Sequence, residues 1–158
     1  MDWFGWGVYG LVATGALTAV MMSAQLAGWT RLDLPFVLGT IVTGDPDRAR
    51  VAGFFVHLVN GQVFALGYTA AFAAAGRAIW WTGGILGLVH GMVALGVLVP
   101  LLPGVHPRMA SERAGRSTEP GLEPPGLFAL NYGRETPFIT LAAHLLYGVA
   151  LGLLLHPK

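Results

Sequence analysis

The stretch AIWWTGGILGLVHGMVALGVLVPLLPGVHP, residues 78–107, runs for 30 positions without an Asp, Glu, Lys or Arg. About 20 apolar residues carry a helix across a bilayer, and a charge at the bilayer centre costs about 2.5–3.5 kcal/mol on insertion scales. Three more charge-free stretches lie at 3–30, 51–76 and 136–157, so the 17 charged residues are confined to the intervals between them. Charged residues make up 11% of the chain and hydrophobic ones 54%, against about 25% and 45–50% in ordinary soluble domains. The spacing predicts an all-α membrane protein with four transmembrane helices near 4–28, 51–74, 79–101 and 137–155. They form a bundle and a single transmembrane domain over 1–158.

Working outward from the spans, their ends carry the tryptophans. Trp3 and Trp6 open the first, Trp29 closes it, and Trp80 and Trp81 open the third, as in an aromatic belt at the membrane interface. A signal peptide would begin with basic residues and hold only about 7–15 apolar ones. Met1-Asp2-Trp3 is acidic and the run behind it is longer, so the first helix is expected to be retained. Connections one and three hold Arg31, Arg48, Arg50, Arg108, Arg113, Arg116 and Arg134, whereas the opposite side holds Arg77 and Lys158. By the positive-inside rule both termini lie outside the cytoplasm of a multi-pass protein in the cell inner membrane. One lysine among nine basic residues points to a GC-rich bacterial genome.

Composition also excludes function classes. A net charge of +1 offers no surface for neutralising phosphates, so nucleic acid is not an expected partner. The absence of cysteine removes thiolate metal sites, iron–sulfur clusters and cysteine nucleophiles. Ser111 and Glu112 lie in the third connection without a nucleophile elbow, and HEXXH, P-loop and dinucleotide fingerprints are missing. The chain therefore leans away from an enzyme.

Two segments are apolar but too short to cross. Residues 34–43 read as an interfacial segment with Pro35 in its first turn, ended by the Asp45-Pro46-Asp47 turn and N-cap signal of the second span. Residues 124–132 read as a second interfacial element. The cytoplasmic loop around it, about 103–136, is rich in Pro, Gly and Ser and reads as a solvated linker. His57-Leu58-Val59-Asn60-Gly61 and His144-Leu145-Leu146-Tyr147-Gly148 share an H-L-apolar-polar-G pattern, and Gly10-Leu11-Val12 pairs with Gly87-Leu88-Val89. This suggests a tandem two-helix repeat about an axis along the membrane normal.

Helices in lipid associate through small residues. Gly83, Gly87 and Gly91 form a double GxxxG, Gly148 and Gly152 another, and Gly53 with Gly61 brackets His57 at helical spacing. The histidines share these faces and should point inward. His57, Asn60, His90, His144 and Tyr147 are the candidate intramembrane polar cluster, with His57 and His144 at matching depth and His90 deeper. Ionisable groups inside a membrane mark ion, proton or cofactor sites, though neutral imidazole, Asn and Tyr also serve as interhelical hydrogen bonds. Two facing imidazoles could ligate a haem iron, and His57, His144 and His90 together could hold a transition metal such as zinc or copper. No carboxylate lies inside a span to support either a proton relay or a metal. His106 and Arg108 form a candidate interfacial pair, suited to anchoring at lipid phosphates or to a bound anion. His156 reads as an end cap or interfacial residue.

Gly10 to Met22, Leu32-Asp33-Leu34-Pro35 with Leu38-Gly39, Gly53-Phe54-Phe55-Val56-His57 with Gly61, and Phe64-Ala65-Leu66-Gly67-Tyr68 together resemble a group of small bacterial four-span membrane proteins of unknown function. His144 to Gly152 is similar as well. The likeness covers most of the chain apart from the third connection. It implies the four-span topology and carries no activity. The expectations are a structural or accessory membrane protein, with the bilayer, a homo-oligomer or membrane-complex subunits as partners. A haem- or metal-binding protein is the alternative, and a small transporter or channel acting as an oligomer the third reading.

Overall fold

Three helix starts are set by an aspartate cap. The structure is a computed structural model that describes residues 2–111 and 121–155. Asp2 accepts the Gly5 amide at 2.9 Å and opens α1, Trp3–Leu26. Asp33 accepts the Phe36 amide at 2.9 Å and opens the short α2, Leu34–Val42. Asp45 accepts the amides of Asp47 and Arg48 at 3.1 and 2.9 Å and opens α3, Pro46–Ala75, which ends at Gly76 in the left-handed region, φ 67°. α4 covers Trp80–Val105, and α5 covers Thr136–Leu154. The helices α1, α3, α4 and α5 are long and apolar enough to span a membrane.

Three boundaries differ from the sequence expectation. α3 begins at Pro46 rather than near 51, because the Asp45 cap fixes its first turn. The third span continues to Val105 rather than stopping near 101. Pro100 and Pro103 would ordinarily break it, but a π-helical segment, Ala94–Leu98, widens the turn ahead of them and the helix proceeds. The second interfacial element is a 3-10 turn, Leu127–Tyr132, with Phe128 and Ala129 at φ 54° and 59°.

The described parts of the third connection correct the solvated-linker expectation. Met109 and Pro125 are buried, and Ala110 donates to Leu122 O at 2.9 Å while Leu122 donates to Arg108 O at 2.8 Å. Connections one and three are stitched together at one end of the bundle. Arg31 N donates to Tyr132 O at 2.7 Å, the Thr30 and Thr136 hydroxyls share a 2.7 Å bond, and Arg31 pairs with Glu123 at 3.0 Å. Tyr132 donates its hydroxyl to Glu123 O at 2.6 Å. Burial, then the Glu123 carboxylate, hold this phenol above the usual range while Arg31 pulls it down. The backbone groups on either side of the proline run thus find partners within the protein. Glu112, Arg113, Arg116 and His156 lie outside the described residues.

Packing follows the glycines. A Cβ on Gly83 would meet Gly148 O at 2.1 Å, and one on Gly148 would meet Gly83 O at 2.0 Å, so α4 and α5 touch backbone to backbone. Gly39 and Gly53 do the same for α2 against α3, whereas Gly61 receives Thr14 of α1. α1 packs on α3, α4 packs on α5, and the two pairs join through α1 and α5. A strict twofold would repeat the α1–α5 seam between α3 and α4. Those two helices do not pack closely along their backbones and meet instead through side chains, Phe64 and Tyr68 against His90.

Candidate functional site

Because α3 and α4 stay apart, the bundle contains a cavity of about 410 Å³ between them, floored by α1 and α5. All five residues of the predicted polar cluster line it: His57 and Asn60 on α3, His90 on α4, and His144 and Tyr147 on α5. Leucines from the π-helical part of α4 and from α2 make the rest of the wall, so most of the lining is apolar. The volume falls within the roughly 300–1,000 Å³ of small-molecule sites.

The rings are arranged differently from the expected pair of facing imidazoles. His90 and His144 meet edge to face with centroids 4.7 Å apart, and His90 also lies on Phe64 at 3.9 Å. Tyr147 sits edge-on to Tyr68 at 5.4 Å and donates its hydroxyl to Gly61 O at 2.6 Å, tying α5 to α3 across the floor. His57 lies nearer connection one, where it also borders Met21, Leu32 and Leu34.

Hydrogen bonding fixes what these groups offer. His144 Nδ1 lies 2.8 Å from Thr140 O. A carbonyl only accepts, so the ring proton sits on Nδ1 and Nε2 of the neutral ring is an acceptor. Tyr68 Oη and His90 Nδ1 are 3.5 Å apart, a long contact. Neither His57 nor Asn60 makes a side-chain hydrogen bond among the described residues.

The three-histidine metal reading is corrected. Among the described residues no three His, Cys, Asp or Glu side chains are gathered so as to hold a metal ion. His144 commits Nδ1 to backbone and His90 turns its ring against aromatic neighbours, so the three imidazoles share a cavity wall without converging on one point.

The interfacial pair is also reassigned. His106 is buried, with Nε2 3.0 Å from Val37 O and Nδ1 accepting the Arg108 amide at 3.1 Å. Arg108 donates to Thr40 O at 2.6 Å and Ile41 O at 3.4 Å. These are open carbonyls at the end of α2, so the pair clamps α2 to the end of α4.

Sequence reading missed four residues. Thr140 sits one turn before His144 on the same face and lines the cavity, a position that i, i+4 spacing from His144 would have found. Tyr68 and Phe64 had helical spacing from Asn60 and Gly61 but no polar companion in sequence. Gln62, opposite the cavity, joins α1 to α3: its side-chain amide donates to Gly7 O at 2.8 Å while its backbone carbonyl accepts Trp6 Nε1 at 2.9 Å.

The fold and site define a bundle of four helices long and apolar enough to span a membrane, with an open, mostly apolar cavity. Comparison with protein-family models, curated proteins and solved structures finds no match.

Proposed function

We propose that this protein is a non-catalytic, multi-pass inner-membrane component that holds a small lipid-soluble molecule within its bundle, its arginine-rich end in the cytoplasm and both termini outside. The observation that carries this reading is the cavity, about 410 Å³, apolar along its length with imidazole and amide groups at one part of its wall. A cavity of that size in a small bundle forfeits packing contacts that a purely structural protein would keep. The glycine faces that suggested a partner in the membrane are used inside the chain, by α4 against α5 and α2 against α3. The accessory role thus rests on what the protein binds.

Haem is the weaker alternative. His144 Nε2 and His57 could supply axial nitrogens, but among the described residues no Arg or Lys lines the cavity to neutralise the propionates. A transporter would need a polar track through both halves, and the lining is mostly apolar.

The test is extraction of neutral lipids from protein purified in mild detergent, compared by mass spectrometry with Ala94→Phe. Ala94 faces the cavity from α4, and a phenyl ring there obstructs it. A compound near stoichiometric in the wild type and depleted at least tenfold in the variant is expected, with an absorption spectrum free of a Soret band. Equal lipid content in both proteins would sink the proposal, and a Soret band lost in His144→Ala would replace it with haem binding.

A further inference from the structure

Among the described histidines, His106 alone has both ring nitrogens committed, and in opposite senses. Nε2 lies 3.0 Å from Val37 O, a carbonyl that only accepts, so Nε2 carries the proton. Nδ1 lies 3.1 Å from the Arg108 amide, which only donates, so Nδ1 is bare. Thr40 donates its hydroxyl to the same Val37 O at 2.7 Å and stands 3.2 Å from Nε2. The residue is 5% exposed, and among the described residues no carboxylate pairs with the ring. This set of bonds requires the neutral imidazole.

The bonds hold more than the ring. Nε2 ties the end of α4 to α2 directly, while the Nδ1 bond closes the turn that carries the Arg108 guanidinium to Thr40 O at 2.6 Å and Ile41 O at 3.4 Å. A second proton, on Nδ1, would set N–H against N–H and break that turn. The charged ring would donate more strongly to Val37 O, a gain of about the size of the bond lost at Nδ1. Donor repulsion and the burial of a second cation in a clamp that already holds the guanidinium then decide the balance against closure. α2 has nine residues and puts Leu34 and Leu38 on the cavity wall, so losing the clamp frees one wall of the site.

The other ionisable groups around the clamp are engaged elsewhere or lie apart from it. α2 itself and residues 91–105 of α4 carry none. Asp33 and Asp45, at the two ends of α2, cap helix starts, and on α3 Arg50 pairs with Asp47. The 3-10 turn packed on the end of α4 brings Tyr132, whose phenol donates to Glu123 O, and Glu123 pairs with Arg31. His57 on α3 borders Leu34 and Pro35 and is the competing source of any pH response in α2.

We propose that His106 is a proton-operated latch: neutral, it locks α2 to the end of α4, and protonated, it lets α2 come away and opens the cavity wall at the arginine-rich end. That the opened cavity is a binding site rests on the role proposed above, whereas the latch does not. The closed state takes only the neutral ring and the released state takes either form. The clamp is therefore whole at high pH and lost as pH falls, the opening equilibrium rising by at most about tenfold per pH unit for one proton.

The experiment is amide hydrogen exchange of the full chain in phosphatidylcholine nanodiscs near pH 8 and near pH 5, a range in which imidazole ordinarily changes charge. Rates are expressed as protection factors, so that the intrinsic pH dependence of exchange is divided out. Protection in α2 should fall at least about tenfold from the higher pH to the lower, while the middles of α1 and α5 stay within about twofold. His106→Asn takes no proton yet keeps an acceptor for the amide two residues on, as asparagine does in turns. At the higher pH its α2 protection should lie within about tenfold of wild type, since the Val37 bond alone is lost, and it should not change with pH. His106→Gln, a second variant that cannot titrate, should be equally flat, and His57→Gln should respond as the wild type does.

A smaller change in the wild type, a full response surviving in either His106 variant, its loss in His57→Gln, or an equal fall in all helices overturns the latch. Lipid content plays no part in this measurement, so the two readings fail separately. Equal lipid in wild type and Ala94→Phe removes the binding role and leaves the latch standing.

Discussion

At the scale of single residues, two glycines of equal chemistry make opposite predictions. Gly148 faces the Gly83 carbonyl, and a methyl group there would stand 2.0 Å from a backbone oxygen that cannot rotate away. Gly148→Ala must push α4 off α5 and should cost about 1–3 kcal/mol in denaturant unfolding of the detergent-solubilised protein. A Cβ on Gly67 would meet nothing within 4 Å. Gly67→Ala should therefore be neutral or stabilise by up to about 1 kcal/mol through helix propensity. Equal loss in both variants would mean that the α4–α5 approach is not the tight contact described. GxxxG spacing marked Gly83, Gly87 and Gly148 in the sequence, because close approach demands small residues at helical period. The same reading gave no way to tell that Gly53 serves α2 while Gly61 serves α1, since a period names a face without naming its partner.

Elements acquire their positions from contacts that sequence pattern does not carry. α2 has nine residues, too few to be stable alone, and it is held by the Gly39–Gly53 approach on one side and by His106 and Arg108 on the other. Its residues Leu34 and Leu38 border the cavity, so the clamp also fixes one wall of the site. Arg108→Gln removes the guanidinium donors to Thr40 and Ile41 and should raise amide hydrogen exchange in α2 about three- to tenfold, a local loss of about 0.5–1.5 kcal/mol. Exchange elsewhere should stay within about twofold. Unchanged exchange in α2 would show that the glycine contact alone holds it. The charge pattern indicated that residues 34–43 do not span, and Asp33 with Pro35 marked where the helix starts. Nothing local indicated that residues some 65 positions later would cap its end. The π-helical turn in α4 is of the same kind: the span is expected to end near 101, whereas a wider turn lets the helix continue to Val105, with Leu95 on the cavity wall.

For the whole molecule, the four spans were legible because the cost of a charge in hydrocarbon acts on composition directly, without reference to partners. The repeat was legible only in part. Helix pairing follows it, α1 with α3 and α4 with α5, but the seam between α3 and α4 departs from it, and the cavity occupies that departure. Which end faces the cytoplasm is a property of the charges and is open to a clean test, because the chain contains no cysteine and needs no cysteine-free background. Arg31, Arg48, Arg50, Arg108 and Arg134 stand at the end where connections one and three meet, and Arg77 stands in the connection between α3 and α4 at the other. The positive-inside rule places the first group in the cytoplasm. In a bacterial host, Arg77→Cys should react with a membrane-impermeant maleimide on intact spheroplasts, and Arg48→Cys only after permeabilisation. Removing one arginine from the cytoplasmic end leaves the bias intact, whereas placing three lysines between Gly76 and Trp80 should erode it and give mixed labelling. Labelling of Arg48→Cys on intact spheroplasts with Arg77→Cys protected would invert the topology. It would then place the arginine-rich end, with its α2 clamp, outside the cell while leaving the fold as described.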